Sequence, residues 1–175
     1  INGVLTFVPA SGPANGMENA QSIKTLFEFQ CDGYRFALPL SCVRRVVHSA
    51  QPMPLPGAPD IVQGILNVGG DPVVLVDFRR RAGLPAVALE PFHPMLLVDI
   101  RDYCLGLAVD AVDGVIDGDA SILGAVPDRL AHRELVEGVI RLEDGLCLIC
   151  DPEKFLFGEE KRLLRQALEQ GNHGG

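Results

Sequence analysis

The chain has 175 residues, of which 47% are hydrophobic and 22% charged, and its formal net charge is −8 at pH 7. A chain of this length and composition can bury a full hydrophobic core. Its acidic balance lacks the basic field that an extended nucleic-acid surface or an anionic membrane surface requires, so both are excluded as partners.

Residues 1–23 are rich in Gly, Ala, Asn, Ser and Pro and contain no Lys or Arg. They are interpreted as an N-terminal extension or linker, because a secretory signal begins with a basic segment. Pro9 and Pro13 interrupt the only uncharged stretch that is long enough to consider for a membrane span. Five cysteines, an odd number, suit a reducing compartment. We therefore expect a cytoplasmic protein without direct membrane insertion.

Two β-hairpins are predicted in the first half of the chain. Short apolar runs flank Asp32-Gly33, the dipeptide most typical of a type I′ turn. Residues 64–77 read GILNVGGDPVVLVD, in which two further apolar runs flank the turn residues 69–72. The second of these runs has no polar alternation, so protein should cover both of its faces.

The segments between these hairpins contain turn and breaker residues. Ser41 is predicted to cap one helical turn that carries Val43 and Val46 on one face. Four prolines in residues 51–59 predict a stiff connector. A capped turn is expected at 77–82, and the chain then crosses to its second half through residues 83–92.

Two pairs of stretches recur along the chain. Residues 64–77 match 138–151 at an offset of 74, and residues 34–46 match 103–115 at an offset of 69. We interpret this as one duplicated β unit; chance similarity between aliphatic strands is the alternative.

The second half predicts a similar set of elements and a terminal helix. A long connector at 117–137 should contain a short helix around 129–135. Asp151 followed by Pro152 has the pattern of a helix start, and residues 159–170 form an amphipathic pattern. The strands are expected at 95–100, 103–109, 139–142 and 146–150.

Several motifs associated with enzymes or metals are incomplete. Gly64 and Gly69 have the spacing of a phosphate-binding loop, but the required Lys and Ser or Thr are missing. Cys147 and Cys150 lie three apart in a strand, so they should face opposite sides as buried thiols.

Charged and imidazole side chains give no catalytic pattern either. The aspartates at 113, 117 and 119 lack the glycine and glutamate of a calcium loop and are interpreted as a solvated acidic loop. The arginines at 79–81 are interpreted as a solvated turn. The four histidines have no local partner, so we expect no enzyme, no cofactor and no metal.

Taken in order, these segments resemble the CheW family of chemotaxis coupling proteins over about residues 24–157. The residues that carry the resemblance are Tyr34-x-Phe36-x-Leu38, Val43-x-x-Val46, the proline-rich connector, residues 64–70 leading into 73–79, the run Gly106-Leu107-Ala108-Val109-Asp110-x-Val112, Gly138 and residues 151–156.

The resemblance implies a mainly β, CheW-like fold: two side-by-side, five-stranded SH3-like β-barrels with short helical turns and a C-terminal helix. The first barrel is expected at roughly 24–82 and the second at roughly 93–150, within a domain of 24–157. Residues 158–175 would form the C-terminal helix and tail. A longer protein that carries this module is also compatible with the N-terminal extension.

The family resemblance also implies a function. It implies a non-enzymatic adaptor of a bacterial chemosensory two-component system, whose partners are the chemoreceptor cytoplasmic tip and the regulatory domain of a CheA-like histidine kinase. The alternative is a small-ligand-binding or catalytic β-barrel that uses the cleft between the barrels.

The resemblance assigns candidate residues to two surfaces. Those for the receptor groove are Val43, Arg45, Val46 and Gly69, and those for coupling or the kinase face are Gly106 and Val115. Two positions depart from the family pattern: Gly69 stands where an arginine is usual, and Arg45 where an acidic residue is usual. The resemblance therefore implies a variant coupler with a changed groove charge.

Overall fold

The computed structural model describes residues 23–119 and 133–171, in which ten β-strands form two five-stranded sheets. The strands of the first half are β1 (Ile23–Cys31), β2 (Tyr34–Pro39), β3 (Val43–His48), β4 (Val62–Val68) and β5 (Asp71–Val76). Those of the second half are β6 (Pro94–Ile100), β7 (Tyr103–Ala108), β8 (Ala111–Asp119), β9 (Val136–Leu142) and β10 (Gly145–Cys150). The α-helices are α1 (Phe78–Ala82) and α2 (Gly158–Gly171), and 3₁₀ turns lie at Leu40–Cys42, Arg133–Leu135 and Pro152–Phe155.

Both predicted hairpins of the first half are present. Asp32 and Gly33 have φ of 54° and 75°, and Gly69 and Gly70 have φ of 65° and 98°. Positive φ at both central residues matches the twist of the flanking strands, which is why these dipeptides form two-residue turns. The second turn is shorter than predicted, because Asp71 and Pro72 already pair with Val68 and Asn67 in the strand ladder.

The strand order confirms the internal duplication. The first sheet has the order β8-β1-β2-β10-β9 and the second has β3-β6-β7-β5-β4, so equivalent strands occupy equivalent places. One parallel pair joins two antiparallel parts in each sheet. This pair is β2 with β10 in the first sheet and β5 with β7 in the second. The β-bulges also repeat: Arg44 in β3 and Asp113 in β8 are the unpaired extra residues, 69 positions apart.

The structure corrects the boundaries that were predicted for the two barrels. The first sheet takes β1 and β2 from the first half and its other three strands from the second half, while the second sheet has the reverse composition. Segments 24–82 and 93–150 therefore do not form separate sheets. The sequence repeat could not predict this exchange of strands, because equivalent strands of the two copies are interchangeable as pairing partners.

The core has three layers of apolar side chains, because most strands are buried on both faces. Between the sheets lies a central cluster with five phenylalanines, four of which have neighbouring rings with centroids 5.0 to 6.0 Å apart: Phe29, Phe36, Phe78 and Phe155. A smaller cluster around Leu26 and Ile140 lies behind the first sheet, and one around Leu75 and Met95 lies behind the second. This burial explains the continuous apolar runs in the sequence.

The helical segments follow the predicted capping signals, with one exception. The Asp77 side chain accepts a hydrogen bond from the backbone N–H of Arg80 at the start of α1, and Asp151 accepts one from Glu153 ahead of the Pro152–Phe155 turn. Ser41 does not cap a helical turn. The 3₁₀ turn there lacks a side-chain cap, and the next residues are extended in β3.

Other predictions near the ends of these elements have mixed outcomes. The aspartates at 113, 117 and 119 lie in β8 and not in a loop. Only Arg133–Leu135 of the expected short helix is described, as a 3₁₀ turn, and residues 129–132 and 1–22 lie outside the described part. None of the helices in the described ranges has the length and apolarity that a membrane crossing would need.

Candidate functional site: an open groove between the sheets

An open groove of about 330 Å³ is lined by residues of both sheets. We call its two sides the second-sheet wall and the first-sheet wall. The second-sheet wall consists of Leu40, Val43, Arg44, Arg45 and Val46. The first-sheet wall consists of Phe27, Val112, Asp113 and Gly114.

The two walls are built from equivalent parts of the duplicated unit. Val43 and Val112 are equivalent at the offset of 69, and so are Arg44 and Asp113. Each wall contains the β-bulge of its strand, where the extra residue is freed from the hydrogen-bonded ladder. The two walls are therefore equivalent at the bulges in position but opposite there in charge.

Arg45 lies against the tip of the β4–β5 hairpin. Its Nη2 atom donates a hydrogen bond of 3.4 Å to the carbonyl oxygen of Val68, and its Nε atom is buried without a hydrogen-bond partner in the structure. A Cβ atom at Gly69 would lie 3.6 Å from the same Nη2 atom. The structure thus brings together the four positions proposed for the receptor groove: Val43, Arg45 and Val46 line it, and Gly69 adjoins Arg45.

The other charged groups of the groove have partners within the chain. Arg44 pairs with Asp99 at 2.8 Å and with Asp71 at 3.4 Å, and these carboxylates raise the pKa of its guanidinium. Asp113 accepts two hydrogen bonds, of 2.8 and 3.0 Å, from the side-chain amide of Gln30. Among the described residues no cation pairs with Asp113, whereas Arg44 pairs with two carboxylates.

The two positions proposed for coupling or the kinase face have different environments. Gly106 is buried in β7, and a Cβ atom there would lie 2.8 Å from Met95 Sδ and 3.1 Å from Val73 Cγ1. It supports the packing of the second sheet and is not available for direct contact. Val115 in β8 is 45% exposed, so a partner could reach it.

Two of the three consecutive arginines differ from the predicted solvated turn. Arg79 pairs with Asp110 at 2.7 Å and with Asp32 at 3.3 Å, which joins α1 to loops that begin and end strands of the first sheet. The Arg81 side chain is only 4% exposed and its guanidinium lies 2.5 Å from Glu160. It also donates to the carbonyl oxygen of Phe155. Sequence reasoning missed both roles because the acidic partners are 31 and 79 residues away.

A second cavity is lined in part by Asp77, His93 and Asp110, but it measures only about 30 Å³. This is room for about one water molecule and not for a substrate. Among residues 23–119 and 133–171, no group of three or more His, Cys, Asp or Glu side chains is placed to hold a metal ion. This second cavity therefore gives no support to the alternative of a small-ligand-binding or catalytic cleft.

Cys147 and Cys150 face opposite sides of the first sheet, as their spacing predicts. Cys147 belongs to the apolar cluster behind that sheet and Cys150 to the central core. Burial raises the pKa of the Cys147 thiol to about 12, and it raises the pKa of the fully buried Cys150 thiol still more clearly. Both thiols are therefore protonated at neutral pH and act as small hydrophobic side chains.

The structure is thus a duplicated two-sheet β fold with an open groove that carries charged side chains. The CheW-like domain family model matches residues 25–160, so the chain belongs to that family.

Individual relatives agree with this assignment. The chain is 24% identical over 140 residues to the chemotaxis protein CheW of Rhizobium meliloti, an alignment that covers 79% of this chain and 90% of the relative. It is 23% identical over 136 residues to the chemotaxis protein CheW of Bacillus subtilis, covering 77% and 87%. The scaffolding protein TtCheW from Thermoanaerobacter tengcongensis has a similar structure, with a TM-score of 0.64 at 25% identity, covering 74% and 89%.

These comparisons confirm the predicted fold and the class of function. The chain has a CheW-like fold and is a scaffold protein of the chemotaxis type. The alternative of a small-ligand-binding or catalytic β-barrel gains no support from them.

Proposed function

We propose that this chain is a non-enzymatic, cytoplasmic adaptor that couples a chemoreceptor to a CheA-type histidine kinase. The observation that carries the proposal is the open groove built from both sheets in a chain of the CheW-like family. An adaptor needs surfaces of distinct chemistry on one rigid body, and a fold whose strands are exchanged between two sheets supplies that rigidity.

In this proposal the receptor tip occupies the groove. Val43 and Val46 supply apolar contact area, and the guanidinium of Arg45 supplies a cation next to the hairpin tip at Gly69. Burial of apolar side chains would give most of the binding free energy, since each Å² of valine surface that is removed from water makes a favourable contribution.

The kinase regulatory domain would bind a separate face. Val115 is the exposed apolar residue among the two positions proposed for that face, while Gly106 would act only by supporting β7. Two separate faces allow both partners to bind at once, as coupling requires.

The variant character of the coupler is also a proposal. With Gly69 the hairpin tip has no side chain that could reach a partner, so ordinary receptor coupling should depend on Arg45 of β3, which contacts the hairpin tip. A charged hydrogen bond is worth about 1.5 to 3 kcal/mol, or roughly ten- to a hundredfold in affinity. The proposal therefore places most of the electrostatic recognition on one residue.

The test is a titration of the full chain with two probes from the same organism, a receptor-tip fragment and the kinase regulatory domain. We expect each probe to bind alone, and the binding of one to leave a site for the other, so that a ternary complex elutes together in size-exclusion chromatography. No saturable binding of the kinase domain at concentrations of roughly tens of micromolar, about −6 kcal/mol, would contradict the adaptor function. Mutual exclusion of the probes would contradict the separate faces.

A further inference from the structure

We propose that the groove is electrically polarised and selects a partner segment by charge: a carboxylate next to Arg45 on the second-sheet wall, and a cation next to Asp113 on the first-sheet wall. This inference rests on the proposed function, because it specifies the chemistry of the receptor segment that occupies the groove.

The first argument is the state of Arg45. A guanidinium carries five N–H donors and prefers planar, bidentate acceptors. Arg45 uses one donor in a 3.4 Å bond to the Val68 carbonyl, and its buried Nε–H lacks an acceptor within the described part of the chain. A partner carboxylate at the exposed part of this half-buried guanidinium would supply the negative charge that the side chain lacks.

The second argument is the balance of charge between the walls. Arg44 also lines the groove, but Asp99 and Asp71 compensate its charge. Within residues 23–119 and 133–171, Asp113 accepts hydrogen bonds from the neutral amide of Gln30 and pairs with no cation, so its charge on the first-sheet wall is not compensated there. The uncompensated charges are thus positive at Arg45 and negative at Asp113.

The third argument is the duplicated geometry. Equivalent β-bulges form the two walls, and equivalent valines, Val43 and Val112, form the apolar lining on each side. Apolar contact in such a symmetric groove is non-directional, so a bound segment could lie in either of two directions. Opposite charges on the two walls, at Arg45 and at Asp113, remove this ambiguity, since the reversed segment would place like charges together.

The occupant is therefore a protein segment with an apolar stripe, an acidic side chain on one flank and a basic side chain on the other. The experiment uses the receptor-tip fragment as its probe. Its affinity is measured for the wild type, Arg45→Gln, Arg45→Glu, Asp113→Asn and the double variant Arg45→Glu/Asp113→Lys. Arg80→Gln is the matched control, because Arg80 is exposed and does not line the groove.

We expect Arg45→Gln to weaken binding roughly ten- to a hundredfold, Arg45→Glu to weaken it further, and Asp113→Asn to weaken it by a smaller factor. Arg80→Gln should bind as the wild type does. A tip fragment in which the acidic and basic flanks are exchanged should bind the double variant better than the wild type. In the Arg45→Gln background, Gly69→Arg should restore part of the affinity, which a purely structural role of Arg45 would not allow.

The outcomes separate this inference from the proposed function. If Arg45→Gln and Arg45→Glu bind the tip with the wild-type affinity, the polarised groove is overturned. The proposed adaptor function is then unaffected. No binding of the tip to the wild type, with kinase binding intact, overturns the inference together with the receptor part of the proposed function. Kinase affinity and thermal unfolding of every variant show that a loss of tip binding is not a loss of fold.

Discussion

At the scale of single residues, burial decides what a side chain does. Cys147 and Cys150 have the spacing of half a metal site, yet each lies in a different apolar layer and its pKa is raised by burial. Arg81 belongs to a basic run, yet its guanidinium is almost fully enclosed. Residue type alone would assign Arg81 to the surface.

The buried thiols should be unreactive, and they should make stability depend on alkaline pH. In the folded protein the Cys147 thiol has a pKa of about 12, against an ordinary value of 9.0. Between these two pH values this thiol therefore ionises in the unfolded chain but not in the folded protein. Stability that is fully present below pH 9 should therefore decrease as the pH rises from about 9 to 12. Urea unfolding at several pH values tests this, with Cys147→Ala/Cys150→Ala as the comparison, whose stability should fall less over that range.

Thiol labelling in native buffer gives the second readout. Neither Cys147 nor Cys150 should react on the time scale of labelling of a denatured sample. Rapid modification of both in the folded protein, or one equivalent of zinc retained after dialysis, would show that the assignment as core thiols is wrong.

At the scale of elements, an ion pair attaches the C-terminal helix to the body of the fold. Arg81 in α1 contacts Glu160 in α2 at 2.5 Å, lies 4.3 Å from the ring centroid of Phe157 and donates to the Phe155 carbonyl. On the same helix, Leu164 joins the central core. The helix therefore depends on both a nearly buried charge pair and apolar packing.

Arg81→Met should destabilise the protein by about 3 kcal/mol, since it leaves Glu160 partly buried without its partner. Its neighbour Arg80 provides the matched control: Arg80→Met should change stability by less than about 0.5 kcal/mol, because that side chain is 57% exposed. Denaturant unfolding measures both, and amide exchange should show faster opening of α2 in Arg81→Met. In a double variant, Glu160→Leu should recover part of the loss. Equal effects of the two arginine substitutions would contradict the role given to Arg81.

At the scale of the whole molecule, the exchange of strands makes the two halves interdependent. Each sheet contains strands of both halves, joined by the parallel pairs β2–β10 and β5–β7. The chain passes from the first sheet to the second at the Leu40–Cys42 turn, and it returns between β7 and β8. Neither half can complete a sheet by itself.

Fragments 23–92 and 93–171 should therefore not fold separately, and they should form the native sheets only when mixed. Near-UV circular dichroism and the dispersion of amide resonances measure this. The control is the intact chain cleaved once within the exposed loop at 83–92, which should stay folded because no strand is cut. Cooperative unfolding of either fragment alone would show that the halves are independent, as the repeat by itself suggested.

Local chemistry allowed much of the fold to be predicted from the sequence. Asp32-Gly33 and Gly69-Gly70 specify turns because those residues accept positive φ, and Asp77 starts a helix because its carboxylate accepts a backbone N–H three residues on. Apolar runs without alternation indicated strands that are buried on both faces. The equivalence of the two halves was predicted because matching residues recur at a constant offset, which can be recognised at any separation in the sequence.

Tertiary structure alone decided the features that depend on which distant segments meet. The sequence offers two equivalent pairing partners for each strand of the duplicated unit, and only the packed chain shows that the halves exchange them. Likewise, Arg45 adjoins Gly69, which lies 24 positions later in the sequence. Asp113 lines the opposite wall of the groove because its strand, β8, belongs to the first sheet. Side-chain type sets what each residue can do, but its burial and its neighbours, which follow from the chain path, set what it does.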